Sequence, residues 1–402
     1  MKIVYRPPHD LFTMRLFSRL TGNIETPNDR IYVWSVVFEP NFDYVERINR
    51  LRPWPVGPVE LCFHHTELEY RNYILDNINK DLVFIGVKDH LTWGKFNPWT
   101  ESMPNGISNL IGLFDSFPDK RFVLFTSLEN LDYYIKNANV SIIPWGGDIT
   151  NQMSEYKLLS AVTDKDLDSP YTFVCLNRGL RPHRVMAVSL LHGLGLADHG
   201  MISCMFQNNV DDLINYTKWM FDSSQSEIKD IYISGFEKFK ESKLIINDDV
   251  KIYGEAADNN NIKNFNDVLC LYYRKSFVEI VNETSFTEKT FNLTEKTMHS
   301  FYGMNFPILI SSQGTVEFLR NMGLDMFDDV IDHSYDKIKN PIDRLYRAIY
   351  DNRDLLSDHK KTKSRWQQCH PRFINNVNFL KKNLHDYYNR RAELLFRRLD
   401  IK

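Results

Sequence analysis

Short apolar runs, rich in β-branched and aromatic residues, recur between polar or helix-patterned stretches. In the first part of the chain they predict strands at Lys2–Tyr5, Ile31–Phe38, Val59–Phe63, Leu82–Val87, Phe122–Phe125 and Val140–Ile143. Leu131–Ala138 reads as a helix feeding the last of these. A second series begins at Tyr171–Asn177 and continues with Lys251–Tyr253, Val278–Val281 and Pro307–Ile310. Short, largely apolar strands that alternate with helices point to mostly parallel sheets. Apolar residues at three- and four-residue spacing over Ile342–Leu356 and Phe373–Leu399 predict a helical tail.

A length of 402 residues exceeds one comfortable core, so two domains are expected. The polar segment Thr163–Pro170, TDKDLDSP, reads as the linker. The expected division is 1–165, 166–340 and a tail over 341–402. No run of 18 apolar residues exists, and residues 1–8, MKIVYRPP, lack the apolar core of a secretory leader. Five scattered cysteines with no Cys-x-x-Cys argue against a disulfide framework or a zinc knuckle. These features together lead one to expect a cytoplasmic protein (the host cytoplasm if viral) with no membrane partner.

Overall charge is near balance at −3, but it is unevenly spread. Residues 359–402 carry 12 Lys/Arg against 3 Asp/Glu, a net of +9, which leaves −12 on the rest. A basic tail on an acidic body suits either an anionic partner, with DNA as the candidate polyanion, or a helix lying on the acidic body.

Two segments concentrate chemistry. FVCLNRGLRPHR, Phe173 to Arg184, runs a buried strand into a loop with Asn177, Arg178, Arg181, His183 and Arg184, and then into a helix over Val185–Leu194 that Gly195 can cap. Guanidiniums and helix amides at a strand–loop–helix junction suit a diphosphate; an exposed basic turn is the bland counterpart. The second segment, Val278 to Gly323, has a strand that delivers Glu283 and Thr284. Thr294-Glu295-Lys296 then opens a helix ending near Gly303, the strand Pro307–Ile310 follows, and Ser311-Ser312-Gln313-Gly314 leads to another helix. Thr294 followed by charged residues is also an ordinary helix start. A second copy, Thr287-Glu288-Lys289-Thr290, lies seven residues earlier.

The order Glu283-Thr284, Thr294-Glu295-Lys296, Gly303, Pro307–Ile310, Gly314 resembles the donor-binding half of fucosyltransferase-like glycosyltransferases, and sugar transferases encoded by bacteriophages. The resemblance covers 173–336 and does not reach the first domain. It implies an α/β fold of two Rossmann-like domains of the GT-B type with helical C-terminal tail, and a nucleoside-diphosphate sugar as donor. Under that resemblance Glu295 holds the ribose hydroxyls, while Lys296 and Arg178 or Arg181 hold the diphosphate. Asn177, Arg184, Glu283, Thr284, Thr294 and Gly314 complete the expected donor site.

Asp164, Asp166 and Asp168 match a D-x-D spacing by letter only, since they fall in the polar linker. Neither a metal nor a cofactor is therefore expected, with arginines and lysines in the metal's place. A hydroxyl acceptor needs a base, expected from the first domain at strand ends: Asp89, His90, His64 or His65. The function this predicts is transfer of a sugar from a nucleoside-diphosphate sugar to a hydroxyl, with a modified base in phage DNA, a glycan or a small molecule as acceptor. The alternative from another class is a non-catalytic nucleic-acid-binding protein on a transferase-like scaffold, for which Trp366, Phe373, Tyr387 and Tyr388 lie among the tail's cations. A phosphosugar epimerase is disfavoured because no glycine-rich fingerprint follows the first strand.

Overall fold

A computed structural model describes residues 30–35, 82–87, 111–112, 114–115, 118–126, 128–144, 160–177, 181–204, 226–242, 265–286, 289–290, 293–384, 386–388, 390–391 and 394. It is a mixed α/β protein with two parallel sheets. The chain divides into two compact units. The first comprises Met1–Asn151, Glu288–Asn292 and His385–Lys402; the second comprises Gln152–Thr287 and Leu293–Leu384. The division falls before the polar segment 163–170, which belongs to the second unit, and the tail is shared between the two.

In the first unit, β1 (Arg30–Ser35), β2 (Leu82–Val87), β3 (Arg121–Thr126) and β4 (Val140–Pro144) form a parallel sheet in chain order. Phe122, Val123, Leu124 and Ile143 are fully buried, as the apolar runs require. The helix expected over Leu131–Ala138 is instead a single 3-10 turn, Leu131–Tyr133. It starts from Asn130 in the left-handed region, φ 57°, and Asn137 turns the chain into β4. Turn-forming asparagines at both ends overrode the apolar spacing.

The second unit holds β5 (Phe173–Cys175), β6 (Gly200–Ile202), β7 (Val278–Asn282) and β8 (Phe306–Ile310), in the order β6-β5-β7-β8 and all parallel. Its helices are α1 (Pro182–Gly193), α2 (Ser226–Glu241), α3 (Cys270–Arg274), α4 (Glu295–Tyr302), α5 (Thr315–Met322), α6 (Pro341–Tyr350), α7 (Arg353–Ser357) and α8 (His359–Lys382). The segment predicted as one helix over Ile342–Leu356 is thus two, and the next helix begins at His359, well before Phe373.

The chain leaves β5 toward β6 on one side and continues from β7 to β8 on the other. Because parallel crossovers are right-handed, α1 and α4 cover opposite faces. In keeping with this, α6 packs on α1, and α8 packs on α4. Helix α2 crosses α1 at a distance only glycine allows, since a Cβ on Gly235 would lie 1.8 Å from the Ser189 carbonyl oxygen. On the other face, α8 drives Trp366 and Phe373 into the core. The Trp366 Nε1–H donates to the Met304 carbonyl at 2.6 Å, and Phe373 meets Phe306 and Phe327 with ring centroids 5.0 and 4.4 Å away.

Lys165, from the polar segment, is the least expected core residue. Its buried Nζ shares its N–H groups among four acceptors, the carbonyls of Tyr273 (2.6 Å), Ser276 (2.7 Å) and Gly303 (2.8 Å) and the Asn305 Oδ1. These groups precede β7 and β8, so one lysine ties the start of the unit to the amino-terminal edge of its sheet. Among the described residues no helix is long and apolar enough to cross a membrane.

Candidate functional site

The strand order reverses between β5 and β7. In doubly wound sheets that point opens a crevice outside the carboxyl ends of the strands, where ligands bind. Here the loops after Cys175 and Asn282 flank it, and α1 and α4 begin beside it.

A buried polar layer fixes the two strand ends. The Asn282 Nδ2 donates to the Asn177 Oδ1 at 3.0 Å; the Asn177 N–H donates to the Ser203 Oγ at 3.0 Å, and its Nδ2 to the Ser203 carbonyl at 3.2 Å. Asn177 is fully buried, so this side chain holds β5, β6 and β7 in place. Burial pushes the neighbouring Cys175 thiol up to about 12, which leaves it an inert core group.

Above this layer, the first turn of α1 brings Arg181, His183 and Arg184 to the crevice. The side chain of its N-cap, Arg181, makes no capping hydrogen bond, and no acidic residue lies in its first turn. His183 stacks on Phe286, with ring centroids 4.8 Å apart, and its Nε2 lies 2.9 Å from the Glu283 carbonyl. Burial, then the positive fields of Arg184 and Arg181, push its pKa well below the usual histidine range. The neutral ring therefore donates its Nε2–H to that carbonyl. The Arg184 Nη2 donates to the Asn282 carbonyl at 3.4 Å, and burial together with Arg181 lowers its pKa to about 10. Two guanidiniums that act on one another electrostatically favour an anion near them.

Across the crevice, α4 starts at Thr294, whose Oγ1 accepts from the Lys296 N–H at 3.4 Å. The carboxylate of Glu283, 1% exposed, closes this turn. It accepts from the Thr284 N–H (3.2 Å), the Thr294 N–H (3.2 Å) and Oγ1–H (2.6 Å), and the Thr297 N–H (3.3 Å) and Oγ1–H (2.5 Å). The next two residues point their charges at each other, the Lys296 Nζ lying 2.8 Å from the Glu295 Oε1. Burial raises the Glu295 carboxyl, but the adjacent Lys296 ammonium outweighs it and holds the group near 2. One turn on, buried His299 has its pKa lowered to about 4 by burial, so its ring is neutral.

The third helix at this edge, α5, begins at Gly314, φ 86°. Its amides are filled too: Asp336 accepts from the N–H groups of Gly314 (3.2 Å), Val316 (3.2 Å) and Glu317 (3.0 Å). Beside α5 lies a cavity of about 650 Å³ lined by Glu317, Asp328, Asp329 and Asp332 with Arg320 and Lys337. Carboxylates dominate that lining and Asp328 already pairs with Arg320 at 2.6 Å, so it repels a diphosphate.

Of the donor-site residues expected from the sequence, Arg181, Arg184, Glu283, Glu295 and Lys296 thus come to the β5–β7 crevice, within electrostatic reach of one another. Asn177 lies beneath them. Thr284 and Thr294 serve the Glu283 carboxylate, and the Gly314 N–H serves Asp336. Arg178, His64, His65, Asp89 and His90 lie outside the described residues. Among the described residues no group of three or more His, Cys, Asp and Glu side chains is arranged to hold a metal ion. His299 and Asp336 were absent from the expected set. His299 is visible in retrospect as the residue one helical turn after Glu295; Asp336 carries no such signal, because it reaches α5 from beyond it in the chain.

The tail's cations are partly spent within the protein. Lys363 donates to the Leu167 carbonyl at 2.6 Å, Arg365 to the Asp329 carbonyl at 3.1 Å, and Arg372 to Asp325 and Asp329 at 2.6 and 2.9 Å. In the first unit, Arg391 donates to Glu129 at 2.6 Å. Fewer free charges face a polyanion than the count of +9 suggests.

No protein-family model, curated protein or solved structure matches the chain.

Proposed function

We propose that the chain is a glycosyltransferase that moves a sugar from a nucleoside-diphosphate sugar to a hydroxyl acceptor, with the donor's nucleotide held by the second unit. One observation carries the proposal: Arg181, Arg184, Lys296 and Glu295 gather where the parallel order reverses between β5 and β7. A doubly wound sheet offers its ligand crevice at that point, and the cations there match a diphosphate. The two parallel sheets, in separate units, are in keeping with a GT-B arrangement.

In this scheme Arg181, Arg184 and Lys296 bind the two phosphates. Their fixed charge stabilises the departing nucleoside diphosphate as the bond to the anomeric carbon breaks, the role a metal ion plays elsewhere. The Glu295 carboxylate, partly exposed at the start of α4, accepts from the two vicinal ribose hydroxyls. The acceptor hydroxyl attacks the anomeric carbon and gives its proton to a general base, for which Asp89, His90, His64 and His65 are the candidates.

The test is a panel of nucleoside-diphosphate sugars assayed for hydrolysis and transfer, with and without excess chelator. The proposal requires turnover of at least one donor, retained under chelation. A chain that turns over no donor is not a transferase, and turnover abolished by chelator and restored by Mg²⁺ or Mn²⁺ would put a metal where Arg181, Arg184 and Lys296 are placed.

A further inference from the structure

Among the described residues, three helices start at the carboxyl edge of the second sheet, and the starts of two of them are filled by the protein's own carboxylates. Glu283 fills the start of α4 and Asp336 the start of α5. For Asp336 the donors are backbone amides alone. Around Glu283, two threonine hydroxyls join three amides, and among the described residues each hydrogen-bond partner of its carboxylate is a donor. Four of the five donors come from Thr294 and Thr297, eleven and fourteen residues along the chain, and the fifth is the Thr284 N–H. This one side chain therefore joins the end of β7 to the first turn of α4.

The same residue is gripped from the other side. Its backbone carbonyl accepts from His183 in the first turn of α1, and the preceding carbonyl, that of Asn282, accepts from Arg184. Glu283 thus connects the turn that carries Arg181 and Arg184 with the turn that carries Glu295 and Lys296.

We propose that Glu283 is a positioning residue: its buried carboxylate occupies the start of α4 in place of an external anion, and so sets Glu295 and Lys296 opposite Arg181. It does not touch the nucleotide. This assignment rests on the proposed nucleotide site for its purpose, but its mechanism is testable without it.

The experiment is substitution followed by chemical rescue. Glu283→Ala leaves three amides and two hydroxyls around a hole the size of a carboxylate. Acetate or formate at tens of millimolar should enter it and raise the melting temperature of the variant toward that of the wild type, while chloride at equal ionic strength should not. Glu283→Gln provides the second variant: it keeps the shape but turns an NH₂ toward donors, so it should be destabilised and unresponsive to acetate. Titration with uridine diphosphate then reads positioning. Glu283→Ala should bind at least tenfold more weakly than wild type, with affinity partly restored by acetate. A melting temperature indifferent to acetate and formate would overturn the assignment, as would a Glu283→Gln variant as stable as the wild type. Rescue of stability with no nucleotide binding by the wild type itself would count against the nucleotide site alone.

Discussion

Arg391, near the end of the chain, donates to the carboxylate of Glu129 at 2.6 Å, and Glu129 lies just past the carboxyl end of β3 with only 2% of its side chain exposed. Burial raises the Glu129 carboxyl; Arg391, then the Tyr388 hydroxyl, oppose it. Tyr388, fully buried, thus forms part of the first unit's own core. Arg391→Leu leaves a buried carboxylate without its counter-charge and should destabilise the first unit by about 3 kcal/mol, with the one-third exposure of Arg391 keeping the loss at the low end for buried pairs. Glu129→Leu combined with Arg391→Leu should recover most of that. Denaturant midpoints of the three variants check it; additive losses in the double variant would refute the pairing.

Lys165 provides a second test of stability. Lys165→Met removes the donor from three carbonyls and an amide oxygen at once, and unpartnered buried polar groups each cost about 1–3 kcal/mol. Loss of about 3 kcal/mol or more is expected in urea unfolding followed by tryptophan fluorescence. A loss under about 1 kcal/mol would mean that solvent reaches the cage.

The pH dependence turns on Glu279, the second residue of β7. Burial is the main cause that pushes its carboxyl up to about 8; the Tyr273 hydroxyl, which donates to it at 2.6 Å, and Lys165 pull the other way, while Glu283 adds to the rise. The folded state therefore holds a proton that the unfolded chain releases near its ordinary value of 4.5. Stability from this group is complete below about pH 4.5 and declines as pH rises toward 8. Glu279→Gln should remove that decline, so the variant gains on the wild type between pH 5 and pH 8. A difference in unfolding free energy that stays flat over that range would show Glu279 ionised in the fold.

Much of the second unit was legible in the chain. Pro307–Ile310 is apolar throughout and Val278–Val281 is apolar but for Glu279, and both are buried strands extended by one residue. Thr294 before Glu295-Lys296 reads as a helix start and caps α4. What escaped the sequence depends on distance along the chain. Lys165 lies in TDKDLDSP, a composition that marks a linker, and its four acceptors come from residues over a hundred positions later. Glu283 reads as a ligand because it ends a strand at a crevice; only the positions of Thr294 and Thr297 turn it into a helix cap. The seven-residue repeat of Thr-Glu-Lys is similar: spacing to Gly303 picks the later copy, but nothing local tells that Lys289 of the earlier copy donates its N–H to the Tyr134 hydroxyl in the first unit.

The most direct test of the central claim is calorimetric titration of uridine and guanosine diphosphates, without added metal, into wild type, Lys296→Ala and Arg181→Ala. Each cation makes a charge-assisted contact worth about 1.5–3 kcal/mol, so each variant should bind about 10- to 150-fold more weakly while melting like the wild type. Equal affinity in all three proteins, or no binding of either nucleotide by the wild type, would contradict a nucleotide site at the β5–β7 crevice.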